Sequence, residues 1–227
     1  MNDFQHHISK PLYGITLFTA FWSFLLLQVM SDAAFVAHSI RFKNHLVAFI
    51  HDSLAVILPV LMVWPYIEGA GGINTANEKI LMNLSTGYFI ADGVFWIVYG
   101  TYVRHFDILQ LTHHFYCLVG TVSIWWSGTC ASSLVLGLFL THLSSPFGYV
   151  RLFTKELNLR NTELSRFCKH AYFWIKVATI LVVSPLVVFL ILLSDFHNVV
   201  FKLCSVGVLV VNMIWLYTVG LRYAAND

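Results

Sequence analysis

The stretch 107-DILQLTHHFYCLVG-120 opens an apolar run that continues to Trp126 and carries His113 and His114 side by side. A run of this length reads as one membrane-crossing helix, which needs about 20 predominantly apolar residues. Two adjacent imidazoles inside it demand polar company, because an ionisable group costs several kcal/mol in hydrocarbon unless it pairs or meets water.

The rest of the 227-residue chain repeats the pattern. Hydrophobic residues make up 58% and charged residues only 11%, and the mean hydropathy is +0.74, too little charge to cover a soluble surface of this size. Apolar runs at about 12–30, 45–67, 80–103, 107–127, 130–147, 170–193 and 199–221 predict seven spans in an all-α, polytopic membrane protein. The three-residue SGT turn at 127–129 predicts that the fourth and fifth helices are antiparallel neighbours. The net charge of +2 carries no nucleic-acid signature, and the four cysteines lack CxxC spacing, so neither a thiolate metal site nor a disulfide is expected.

Basic residues set an orientation. Arg41, Lys43, Arg104, Arg151, Lys155, Arg160, Arg166, Lys169, Lys176 and Arg222 fall on one side, against Lys10, Lys79 and Lys202 on the other. The positive-inside rule makes the richer side cytosolic, with a lumenal or external N terminus, a cytosolic C terminus and a cytosolic, partly helical connector over 149–170.

These spans give each polar residue a depth. His51 and Asp52 on the second helix, His113 and His114 on the fourth and His142 on the fifth all lie roughly 8–10 Å inside the cytosolic boundary at 1.5 Å rise per residue. Asp92 and Asn212 lie nearer the midplane, as a floor. Helical spacing aligns Gln110, His114, Cys117 and Thr121 on one stripe and Ser85, Tyr88, Asp92 and Tyr99 on another, both expected to face the bundle interior. The histidines at 38, 45 and 197 read as solvated.

Three segments taken together, STGYFIADGVFW at 85–96, THHFYCLVG at 112–120 and LSSPFGYVRLF at 143–153, resemble the successive signatures of the TLC-domain family, which includes the ceramide synthases and smaller lipid-linked membrane proteins. The resemblance covers about 45–221 and implies a six-helix core enclosing a lipid cavity, preceded by one extra helix in 1–44 and followed by a cytosolic tail at 222–227. It implies the endoplasmic-reticulum membrane first as the site of action, with other membranes as the alternative. In ceramide synthases a histidine pair like His113 and His114 is associated with acyl transfer from acyl-coenzyme A. The longer ceramide-synthase signature is absent here, and His142 stands where many smaller members carry an acidic residue.

The chemistry follows from the residue types. A neutral imidazole can take a proton from a lipid hydroxyl or amine, or attack a thioester, and a carboxylate can orient it. The catalytic candidates are His113, His114 and Asp92, with His114 as base or acyl acceptor. His51, Asp52, Tyr88, Gln110, His142, Ser145, Arg151 and Asn212 are candidate cavity-lining residues. Arg151 and Lys155 are placed to meet the phosphates of acyl-coenzyme A, the candidate co-substrate, and membrane lipids are the expected partners. No metal is expected, since the HxxxH and HxxHH boxes of di-iron lipid oxidases are missing, although haem or metal binding is a third reading. The alternative to catalysis is a protein that binds, senses or moves a lipid.

Overall fold

The computed structural model describes residues 2–36, 38–63 and 71–224, with side-chain detail from Leu12 onward save at Arg222. Nearly all of this is helix: α1 (Asn2–Ser31), α2 (Ile40–Leu58, extended by a π turn over Pro59–Val63), α3 (Ala76–Val103), α4 (Ile108–Ser127), α5 (Ala131–His142), α6 (Ser145–Glu156), α7 (Glu163–Ala178), α8 (Ser184–Leu193) and α9 (Val199–Ala224). α5 and α6 run on as one stretch, as do α7 and α8 through a π turn at Thr179–Val183. Six helices among the described residues are long and apolar enough to cross a membrane, the mark of a multipass integral membrane protein. α4 has the length but is not among the six. Gln110, Thr112, His113 and His114 dilute its first turns.

Local sequence sets the ends. Thr75 and Glu78 form a reciprocal capping box at the start of α3. Asp107 accepts from the Gln110 amide at 3.1 Å to cap α4, and Gly128, at φ 73°, takes the left-handed conformation that ends α4 and permits the tight turn into α5. Asn74 fastens that turn: its amide N–H donates to the Gly128 carbonyl (3.0 Å), and its side-chain oxygen accepts from the Ala131 amide (2.9 Å). At the other end, His38 faces Glu156 at 4.0 Å and His170 bonds Tyr223 at 2.7 Å, joining the turn before α2 to α6 and α7 to α9.

The structure moves several boundaries. α2 begins at Ile40, capped by Ser39, while the far end of the predicted second span, with Trp64 and Pro65, lies outside the described residues. The expected connector over 149–170 shrinks to 157–162. Pro146 occupies the first turn of α6, where its missing N–H costs nothing, so the helix continues to Glu156 instead of stopping. His197 is buried rather than solvated. Its Nε2 lies 2.9 Å from Ser133 Oγ, and burial, reinforced by Lys202, holds it below the usual imidazole pKa.

α1 contributes to the core through Trp22, which is fully buried. Its Nε1 donates to the Leu84 carbonyl at 2.9 Å, and its ring meets His51 and Tyr88 edge-on at 5.7 and 5.5 Å. This approach requires Gly87, where an added Cβ would stand 2.6 Å from the backbone of Phe18 and Thr19. Backbone cannot swing aside like a side chain, so Gly87→Ala is expected to lever α1 off α3 and cost about 1–3 kcal/mol. Thermal unfolding of the detergent-solubilised variant, followed by tryptophan fluorescence, measures this.

Candidate functional site

A buried carboxylate organises the centre of the bundle. Asp52 Oδ1 lies 2.9 Å from His51 Nδ1 and 2.9 Å from His142 Nδ1, so two imidazoles from α2 and α5 share one oxygen. Tyr149 stands in the same chamber wall as this carboxylate. With both Nδ1 atoms donating to Asp52, each Nε2 keeps a lone pair. For His51 that lone pair faces Ser85 Oγ at 3.3 Å, and the ring stacks on Tyr88 at 3.8 Å with no exposure at all. For His142 it has no partner among the described residues.

A second carboxylate sits behind α4. Asp92 Oδ1 accepts from Asn44 Nδ2 at 2.8 Å, and its Oδ2 lies 3.4 Å from Gln110 Nε2 and 3.5 Å from His114 Nε2. Gln110 Nε2 also donates to His114 Nε2 at 2.9 Å, which places the proton of a neutral His114 on Nδ1. His113 Nε2 lies 3.6 Å from Cys117 Sγ one turn along. Both Nδ1 atoms, of His113 and His114, lack partners among the described residues.

These groups surround a chamber of about 490 Å³. Its lining includes Asp52, Tyr88, Gln110, His113, His114, His142, Ser145, Arg151 and Asn212, and it reaches Asp107 and Lys155 at the basic end of the bundle. A much narrower slot, about 90 Å³, lies among α4, α5, α8 and α9. Leu134, Leu138, Val187 and Val208 are among its walls. An added Cβ at Gly137, also in its wall, would meet nothing within 4 Å. Thr141, His142 and Asn212 line both spaces. A polar chamber therefore adjoins an apolar slot at His142.

Of the residues expected from sequence to form a site, nine line the chamber. His51 and Asp92 stand behind its wall, as positioning groups for Asp52 and for Gln110 with His114. His51 and His142 are near the middle of Ile40–Val63 and Ala131–Glu156, while His113 and His114 lie in the second turn of α4. Asn212 reaches the chamber and its side-chain oxygen is unpartnered. Tyr99 does not join the interior group: it stacks on Phe95 under the Arg41 guanidinium. The donor atoms of His51, Asp52 and His142 lie within 4.8 Å of one another, a set that could also hold a metal ion. Sequence reasoning missed Tyr149, Trp215 and Trp22, which periodicity alone marks only as packing. No family model and no curated protein matches this chain.

Proposed function

We propose that this protein moves an acyl chain from acyl-coenzyme A to a lipid hydroxyl or amine, as a diverged member of the TLC-domain family. On this reading α4 crosses the bilayer as a seventh span, the basic end is cytosolic, the N terminus is lumenal, and the membrane is that of the endoplasmic reticulum. Labelling of a cysteine introduced at Asn158 from the cytosolic side supports the orientation, and labelling from the lumenal side alone contradicts it.

The observation that carries the reading is the junction at His142. Buried polar atoms are almost always hydrogen-bonded, yet four unpartnered ones (His113 Nδ1, His114 Nδ1, His142 Nε2 and Asn212 Oδ1) belong to residues lining one chamber beside an apolar slot. An amphiphile has the shape to fill both. His142, oriented by Asp52, takes the proton of the acceptor as its oxygen or nitrogen attacks the thioester carbonyl. The carbon–sulfur bond then breaks, and the coenzyme A thiolate takes the proton back. His113 stands between the other two, its ring centroid 6.2 Å from that of His142 and 5.8 Å from that of His114, so His113 and His114 are placed to hold the carbonyl or the acceptor.

The test is product formation. Purified wild-type protein given palmitoyl-coenzyme A with lysophospholipids and long-chain amines should release free coenzyme A and form an acylated lipid. Lipid that co-purifies with the protein, with neither product formed, would instead favour the lipid-binding reading, for which the slot is equally suited.

A further inference from the structure

Lys176 is a buried cation with no counter-ion among the described residues. It is 5% exposed, and no carboxylate among the described residues pairs with it within 4.0 Å. Its Nζ instead sits 5.4 Å from the Tyr172 ring and 5.5 Å from the Trp215 ring. Two aromatic faces return only part of what burying an ammonium costs. The ammonium faces the chamber wall it shares with Arg151 and Lys155, which are one helical turn apart on α6. Among the described residues the carboxylates in the lining are Asp52, engaged by two histidines, and Asp107, which caps α4. The lining thus carries three basic side chains, of which Lys176 is the buried one with no carboxylate partner among the described residues, and both of its carboxylates already accept hydrogen bonds.

We propose that Lys176 anchors a phosphate-binding site in the chamber, with Arg151 and Lys155 beside it, which takes the phosphate-bearing end of an acyl amphiphile. This deepens the acyl-lipid reading above and rests on it for the acyl chain alone. A phosphate is strongly favoured over a neutral head because a multiply charged anion meets several cations at once and pairs with an already desolvated ammonium that the rings leave unsatisfied. Trp215 relates this site to the imidazoles. Its ring stands 5.2 Å from His113 as well as against Lys176, so a phosphate at Lys176 holds the attached chain one ring's width from the histidines.

The phosphate has two sources, a lipid headgroup and coenzyme A, and the test separates them. Binding to full-length protein in detergent is measured for the thioether analogue of palmitoyl-coenzyme A, for lysophosphatidic acid, and for monopalmitoylglycerol as the phosphate-free control. Lys176→Met is expected to weaken one or both phosphate ligands by about tenfold or more and to leave the control unchanged. Lys176→Arg should restore most of the loss, and whichever ligand responds names the source. Equal loss for all three ligands, or no loss for any, overturns the proposal. Should Lys176→Met fail to fold, the wild type decides: a phosphate ligand binding no tighter than the control overturns the site. Acyl transfer is scored separately, so phosphate-selective binding without turnover would refute the transfer reading and leave this site standing.

Discussion

His142→Gln is expected to slow acyl transfer by about 10²–10⁴-fold, the usual contribution of a positioned general base, with the fold retained. Its Nδ1 is fixed on Asp52 at 2.9 Å, and its Nε2 is buried without a partner among the described residues, on a side chain that lines both chamber and slot. Glutamine can still donate to Asp52 but cannot accept a proton usefully. The informative contrast is His51→Gln, since His51 bonds the same carboxylate oxygen while its own Nε2 is occupied by Ser85 and no part of it is exposed. That variant should lose no more than about tenfold, the effect of a positioning residue. Initial rates at saturating palmitoyl-coenzyme A decide the matter. Equal losses in the two variants would mean that the imidazoles serve only the hydrogen-bond network, and an unchanged rate in His142→Gln would remove it from the chemistry.

The largest stability effect is expected at Asp52. Asp52→Ala strips the acceptor from two buried imidazole N–H groups, and each unsatisfied buried donor costs about 1–3 kcal/mol, so the pair should cost about 2–6 kcal/mol. Asp52→Asn keeps an oxygen in place and should cost less. Asp92→Ala should also cost less, because it strands one fully buried donor, the Asn44 side-chain amide, while Gln110 is only half-buried and keeps His114 as a second partner. Thermal unfolding of the three variants in one detergent ranks them. A small effect for Asp52→Ala would show that water or a bound ligand, and not this carboxylate, satisfies the two histidines.

Much of the site was legible from the helical period. His51, Asp52, His113, His114 and His142 are far apart in the chain, and only the assignment of spans suggested that they meet. Span ends read from hydropathy missed the helix ends, because helix ends are set by caps and polar contacts. The residues before His45 look like a loop, yet Lys43 Nζ reaches the Met30 carbonyl at 3.1 Å and Asn44 reaches Asp92, so that turn is helical and largely buried. The same bias ended the fifth span at Phe147, although Thr154 on α6 bonds Ser165 on α7 at 3.0 Å and belongs to the bundle. Trp22 and Lys176 escaped for opposite reasons. One is an aromatic residue in a uniformly apolar helix, and the other looks like any basic residue that marks a cytosolic end. Only packing distinguishes them, through a glycine on the facing helix in one case and two aromatic rings in the other.

The central claim is that an acyl chain lies in the slot while its polar end sits among the histidines. Photolabelling tests it most directly: the protein in lipid nanodiscs is incubated with palmitoyl-coenzyme A thioether carrying a mid-chain diazirine, irradiated, digested and mapped by mass spectrometry. The account predicts adducts on peptides around Gly137, Val187 and Val208, which line the slot, reduced when excess unlabelled ligand is present and when Gly137→Phe fills the space. Adducts confined to outward-facing residues such as Leu17, Phe24 and Val98, all exposed on the bundle surface, and indifferent to competitor, would contradict it.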